Sequence, residues 1–125
     1  IEARTMVEMA SRKFIPASVR YSGILSQSIA SIETVTAGKD FAAAEHELLG
    51  SCCRNINDAV RSLDILKTRI DEAGAIENMK EKALFCRKRI VPAMDALRKP
   101  VDELELLVDS KLWPVPTYGE LIFEV

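Results

Sequence analysis

The 125-residue chain has few of the residues that build turns, β-sheets or catalytic sites. It contains five glycines, five prolines and 6% aromatic residues, which disfavours disorder and folds made of many short strands. No apolar run approaches the roughly 20 residues that a bilayer span requires, and no signal-peptide pattern opens the chain. With 48% hydrophobic residues, 29% charged residues and a net charge of −2, the composition instead suits one globular domain that needs no metal or disulfide to hold its core.

Apolar residues recur at alternating spacings of three and four along three segments, which is the pattern of amphipathic helices. The first pattern runs from Ala3 to Val35 and the third from Ile76 to Val108. The second consists of Phe41, Ala44, Leu48, Cys52, Ile56, Val60, Leu63, Leu66 and Ile70. With Gly38 and Gly74 as stops and Asp40 as an N-cap, the sequence predicts helices at about 2–36, 40–73 and 76–111.

Three prolines, Pro16, Pro92 and Pro100, fall inside these predicted helices. Because the apolar pattern continues on both sides of each, we expect kinks rather than breaks, and four or five shorter helices are the alternative. Short linkers and matched lengths then favour an all-α fold, an antiparallel bundle of three long helices. The last segment, 112–125, is rich in aromatic residues and proline, and we expect an irregular tail that docks on the bundle or on a neighbouring surface.

His46 is the only histidine, and Glu45 and Glu47 flank it. Adjacent residues on a helix point about 100° apart, and the positions three and four away from His46 carry no metal-binding side chain. The sequence therefore favours a solvated histidine over a metal ligand or an acid-base catalyst.

The three cysteines, Cys52, Cys53 and Cys86, lack the paired spacing of a zinc or redox site. A bond between Cys52 and Cys53 would be strained, because neighbouring Cα atoms lie closer together than a disulfide prefers. Cys52 and Cys86 lie on the apolar patterns, so we expect small buried hydrophobic side chains and a reducing, cytoplasmic compartment.

Charge is distributed unevenly near the end of the chain. Residues 80–99 carry seven basic side chains against two acidic ones, and residues 100–125 carry six acidic side chains against Lys111. The basic residues are Lys80, Lys82, Arg87, Lys88, Arg89, Arg98 and Lys99. A basic stripe can bind nucleic acid, but consecutive cations fan around a helix. Spacings of four favour surface ion pairs instead, and these are Asp95 with Lys99, Arg98 with Asp102 and Lys99 with Glu103.

No phosphate-binding glycine loop, nucleophile elbow, zinc-protease motif or calcium loop is present. We therefore predict no catalytic, cofactor-binding or metal-binding residue in this chain, and favour a supporting or interaction domain. An independent adaptor that binds a partner helix along an exposed face is the alternative.

Both ends of the chain resemble one enzyme family. The motif WPVPTYGELIF, from Trp113 to Phe123, preceded by Asp102, Glu103, Leu104 and Glu105 and then Leu107 and Val108, resembles the carboxy-terminal end of type III glutamine synthetases. The opening IEARTMVEMASRKFIPA, from Ile1 to Ala17, is similar to the helix that follows their catalytic region. The middle of the chain matches only in helical character.

This resemblance implies a C-terminal helical domain of a larger enzyme. The chain opens on Ile1 rather than Met, so we also expect it to be an excised piece of something larger. The whole enzyme would join glutamate and ammonia using ATP and a divalent metal such as Mg, and would assemble into large rings. Its metal-binding and phosphate-binding residues would lie upstream, so no site residue is carried over to this chain. The expected partners are its own catalytic region and neighbouring subunits of a homo-oligomer, with no nucleic acid and no membrane.

Overall fold

A computed structural model describes residues 2–37 and 40–115 of the chain. This part is entirely helical, without strands, and forms the three long helices that the apolar spacing predicts. In chain order the elements are α1 (Glu2–Met9), a π-helical segment (Ala10–Phe14), α2 (Ile15–Val35), α3 (Ala43–Gly74), α4 (Met79–Phe85), a second π-helical segment (Cys86–Ile90) and α5 (Val91–Leu107). The backbone stays helical across both π segments, so residues 2–35 form the first long helix and residues 79–107 the third.

Each π segment ends two residues before a proline. The amide of Ile15 donates to the carbonyl of Ala10 and the amide of Val91 to that of Cys86, so these bonds span five residues instead of four. Because a proline ring crowds the preceding α-helical turn, a wider turn gives Pro16 and Pro92 the room they need. The third helix also continues through Pro100, so none of the three prolines ends a helix.

The junction between the first and second helices differs from its prediction. The first helix ends at Val35, Ala37 adopts a left-handed backbone with φ of 55°, and the predicted stop at Gly38 lies outside the described residues. The second helix begins at Ala43, so the prediction that Asp40 caps it was wrong. Ala42 is the N-cap residue and is only 1% exposed, which indicates that burial, rather than a capping side chain, fixes this start.

The third helix begins at Met79 because the Asn78 side chain caps it. The amide oxygen of Asn78 accepts hydrogen bonds from the backbone amides of Lys80 and Glu81 at 3.0 and 3.1 Å. The helix ends at Leu107, earlier than the predicted 111, and the chain turns where the Asp109 carboxylate accepts from the Lys111 amide at 2.9 Å. Side chains that satisfy backbone amides thus set the local geometry at both ends.

The core lies where α3 packs against the first and third helices. The inward face of α3 follows a strict alternation of four and three, through Cys52, Ile56, Ala59, Leu63, Leu66, Ile70 and Ala73. The apolar pattern predicted for this helix places Val60 on the buried face. In the structure Val60 is 41% exposed, and the smaller Ala59 beside it is fully buried. Phe41 and Met79 also belong to the predicted apolar patterns, but they are 65% and 79% exposed. Phe41 lies before the start of α3, and Met79 is the first residue of α4.

Candidate functional site

The structure places His46 against a carboxylate of the preceding helix. Its Nε2 atom lies 3.3 Å from Oε2 of Glu33, and both side chains are about half exposed. Glu47 beside it is exposed and Glu45 is half buried. The sequence argument considered only neighbours on the same helix, so it missed a partner that the chain reversal brings near.

No group of three or more histidine, cysteine, aspartate or glutamate side chains among residues 2–37 and 40–115 could hold a metal ion. The pair of His46 and Glu33 supplies only two donors, fewer than the three or four protein ligands of typical zinc sites. The described residues therefore do not fit the divalent metal that the family resemblance implies, and no chemical step is assigned to them.

The three cysteines occupy three different environments and are all free. Cys52 is fully buried, and its thiol donates to the backbone carbonyl of Ser18 at a Sγ to O distance of 3.7 Å. Burial raises the pKa of the Cys52 thiol, and the neighbouring Cys53 thiol raises it further. Since the thiolate is the reactive form, Cys52 is a poor nucleophile, whereas Cys53 is exposed and Cys86 is half buried.

The basic stripe does not form the predicted ion pairs. Arg98 pairs with Asp95, three residues before it, at 2.9 Å, and this was wrongly predicted as a pair with Asp102. Neither of the two predicted Lys99 pairs forms. The five cations from Lys80 to Arg89 have no ion-pair partner in the described part of the chain.

These cations also point in different directions. Lys82 lines a cleft with Arg4 of α1, whereas Lys88 and Arg89 line another with Leu84 and Phe85. A contiguous face that follows a phosphate backbone would need these charges on one side. Their separation argues against nucleic acid as the partner of this stripe.

Exposed apolar side chains cluster at the N-terminal end of α3. Leu48 and Leu107 line a shallow cleft of about 380 Å³ together with Ala44, and Leu48 remains 39% exposed. Phe41, just before α3, is 65% exposed. We call the cleft residues Ala44, Leu48 and Leu107 the apolar end. Apolar surface of this kind marks contact sites more often than catalytic ones.

The start of the C-terminal tail packs against the first helix. Trp113 is 6% exposed and stacks on Phe14, with ring centroids 5.0 Å apart and planes within 6°. Leu112 and Val115 also pack against the core. The rest of the predicted tail, residues 116–125, lies outside the described residues.

No helix among the described residues combines the length and apolarity needed to cross a bilayer.

Comparison with known proteins extends the family resemblance to the whole chain. No family model matches it. The chain is 27% identical to a glutamine synthetase of Bacteroides fragilis (strain YCH46) and 27% identical to a type-3 glutamine synthetase of Dictyostelium discoideum, each over 98% of this chain and 17% of the relative. It is 30% identical to a glutamine synthetase of Butyrivibrio fibrisolvens over 100% of this chain and 18% of the relative.

The chain therefore spans about a sixth of the length of the curated relatives it matches. The resemblance seen at the two ends is confirmed, and it includes the central helices, where helical character alone was apparent from the sequence.

Proposed function

We propose that this chain is the C-terminal helical domain of a type III glutamine synthetase and serves stability, assembly or regulation rather than catalysis. The observation that carries this proposal is the similarity of 98–100% of the chain to only 17–18% of each relative. In the complete enzyme, ATP and Mg would drive the ligation of ammonia to glutamate. That chemistry would belong to the remainder of the enzyme.

The architecture that fits this role is an antiparallel bundle of three helices, kinked at the prolines, with an irregular aromatic tail. Its direction is supported by four pairs of residues that touch or line the same cleft, because residue numbers fall along one helix as those of their partners rise along the next. These pairs are Ser18 with Cys52, Glu33 with His46, Ile90 with Ile70, and Leu107 with Leu48. Such a bundle presents three long outer faces, so one domain can contact more than one neighbour.

The apolar end is the surface that this proposal assigns to contact with the rest of the enzyme. Leu48 of this surface, and Phe41 just before the same helix, expose apolar area that would cost free energy if it stayed in water. Because the relatives are about six times longer than this chain, most of the enzyme is available to cover that area. The partners are then the protein's own catalytic region and neighbouring subunits of a cytoplasmic homo-oligomer.

A matched pair of substitutions in the complete gene product tests the assignment. Leu48 and Val60 lie on the same helix with 39% and 41% exposure, but only Leu48 belongs to the apolar end. We expect Leu48→Asp to shift the protein to smaller assemblies in sedimentation and to lower glutamine synthesis several-fold, while Val60→Asp leaves both unchanged. An assembly unaffected by Leu48→Asp contradicts the contact role.

A second experiment tests the absence of catalysis. The isolated chain, incubated with glutamate, ammonia, ATP and magnesium, should form no glutamine. Turnover above the blank would overturn the non-catalytic role, whereas a complete gene product that makes no glutamine would overturn the family assignment.

A further inference from the structure

A cleft lies beside the first turns of the third helix. Three apolar and three charged residues line it, and we call them the basic cleft: Ile76, Leu84, Phe85, Glu81, Lys88 and Arg89. Its volume of about 290 Å³ is several times the roughly 30 Å³ that a water molecule occupies in the liquid, so it has room for a side chain. Leu84 is 45% exposed, which leaves apolar area at this cleft open to contact.

The surroundings of the basic cleft carry a strong positive charge. Residues 79–91 contain five cations against the single carboxylate of Glu81. None of these five cations has an ion-pair partner in the described part of the chain. A partner that presents an apolar side chain flanked by carboxylates would complement both the apolar area and the charge.

The other end of the same helix has this chemistry. Leu106 is 80% exposed, and the exposed carboxylates of Asp102 and Glu103 lie four and three residues before it, so the three side chains share one side of the helix. We call these three residues the acidic face. Residues 102–109 contain four carboxylates and no cation. Although Lys99 lies one turn away, neither Asp102 nor Glu103 forms an ion pair within residues 2–37 and 40–115.

We propose that the basic cleft of one copy of this chain binds the acidic face of a second copy, with Leu106 entering the cleft and the two carboxylates meeting Lys88 and Arg89. The two surfaces cannot meet within one chain, because residues 88 and 106 lie about 27 Å apart along one continuous helix. Between copies, the opposite charges fix the register of the contact, and covering Leu106 removes apolar area from water.

This contact is head to tail, because each copy contributes a different surface. A pair of copies therefore leaves one basic cleft and one acidic face free, and assembly continues beyond the pair until a ring closes. The contact does not involve Leu48 of the apolar end, and it needs no residue outside this chain. Its test can therefore use the 125-residue chain and is independent of the tests of the proposed function.

Charge reversal at exposed positions tests the proposal. Lys88→Glu with Arg89→Glu reverses the cleft, and Asp102→Lys with Glu103→Lys reverses the acidic face. In sedimentation equilibrium, each variant alone should self-associate at least tenfold more weakly than the parent chain, since like charges then oppose each other. An equal mixture of the two variants should associate about as well as the parent, because the intact cleft of one meets the intact acidic face of the other.

A matched control separates this contact from a general effect of net charge. Lys13→Glu with Arg20→Glu makes the same change in charge at two exposed positions of the first helix, and it should leave association unchanged. Far-UV circular dichroism checks that every variant keeps its helices. High salt should weaken association of the parent chain by screening the charges, and this measurement needs no variant to fold.

Four outcomes overturn the proposal. They are a parent chain that stays monomeric up to about 1 mM, association that high salt leaves unchanged, a mixture that associates no better than its components, and equal losses in the control. Association that is lost in Leu48→Asp but kept in both reversed variants also overturns it, because the apolar end would then be the interface.

Discussion

The indole of Trp113 lies parallel to the phenyl ring of Phe14, at a centroid distance of 5.0 Å. Phe14 belongs to the π-helical segment ahead of Pro16, so the stack joins the irregular part of the first helix to the chain that follows the third. Offset or parallel aromatic pairs contribute about 0.5–1.5 kcal/mol beyond the area they bury. The stack therefore ties the π-helical part of the first helix to the chain that follows the third helix.

Removing the indole should destabilise the fold strongly. Trp113→Ala is expected to lower the free energy of unfolding by about 3–5 kcal/mol, as for other large core aromatics. Pro114→Ala, at an exposed neighbouring position, should change it by no more than about 0.5 kcal/mol. Urea denaturation followed by circular dichroism measures both, and a loss below about 1 kcal/mol for Trp113→Ala would show that the indole does not contribute to the core.

Two leucines near the end of α5 provide an internal comparison of burial. Leu104 is 0% exposed and Leu106 is 80% exposed on the same helix. Leu104→Ala should cost about 2–5 kcal/mol because it leaves a cavity, whereas Leu106→Ala should stay within about 0.5 kcal/mol. Thermal or urea unfolding of the two variants gives the comparison, and equal losses would contradict the assigned register of α5.

The sequence predicts the helices well because their apolar spacing repeats many times. Leu63, Leu66 and Leu104 belong to the predicted apolar patterns and are buried. The buried face is harder to predict where a small apolar residue stands beside a larger one. Ala59 is buried and Val60 is not, because position in the alternation of four and three outweighs side-chain hydrophobicity.

Helix ends and contacts between distant residues were harder to predict. Asn78 followed by Glu81 is a capping signal that could have placed the start of the third helix, whereas Asp40 has the right residue type but lies too far from α3. The contact of His46 with Glu33 depends on a chain reversal, which no helical periodicity encodes.

The turn after the first helix offers a stabilising substitution. Ala37 has φ of 55°, a left-handed conformation that a Cβ atom disfavours and glycine tolerates. Ala37→Gly is expected to raise the free energy of unfolding by about 0.5–1 kcal/mol. Ala30→Gly, at an exposed position inside α2, should instead lower it by about 1 kcal/mol. Measuring both by urea denaturation separates the backbone effect from the loss of a methyl group, and a destabilised Ala37→Gly would contradict the left-handed turn.

The thiols should differ in reactivity and in their effect at alkaline pH. Iodoacetamide should label exposed Cys53 first and buried Cys52 last, which peptide mass spectrometry can follow.

Because burial raises the pKa of the Cys52 thiol in the folded state, the unfolded state loses this proton at lower pH. The stability linked to Cys52 is therefore fully present below the unfolded thiol pKa and declines as pH rises through the folded value.

The decline should appear as a fall in the free energy of unfolding once the pH rises above the ordinary thiol pKa, and Cys52→Ala should make that fall shallower. Cys53→Ser is the matched control, since it removes the neighbouring thiol that raises the pKa of Cys52 and leaves the burial, which is the larger cause. It should retain most of the pH dependence. An equal slope in the parent chain and in Cys52→Ala would show that another group controls the alkaline loss of stability.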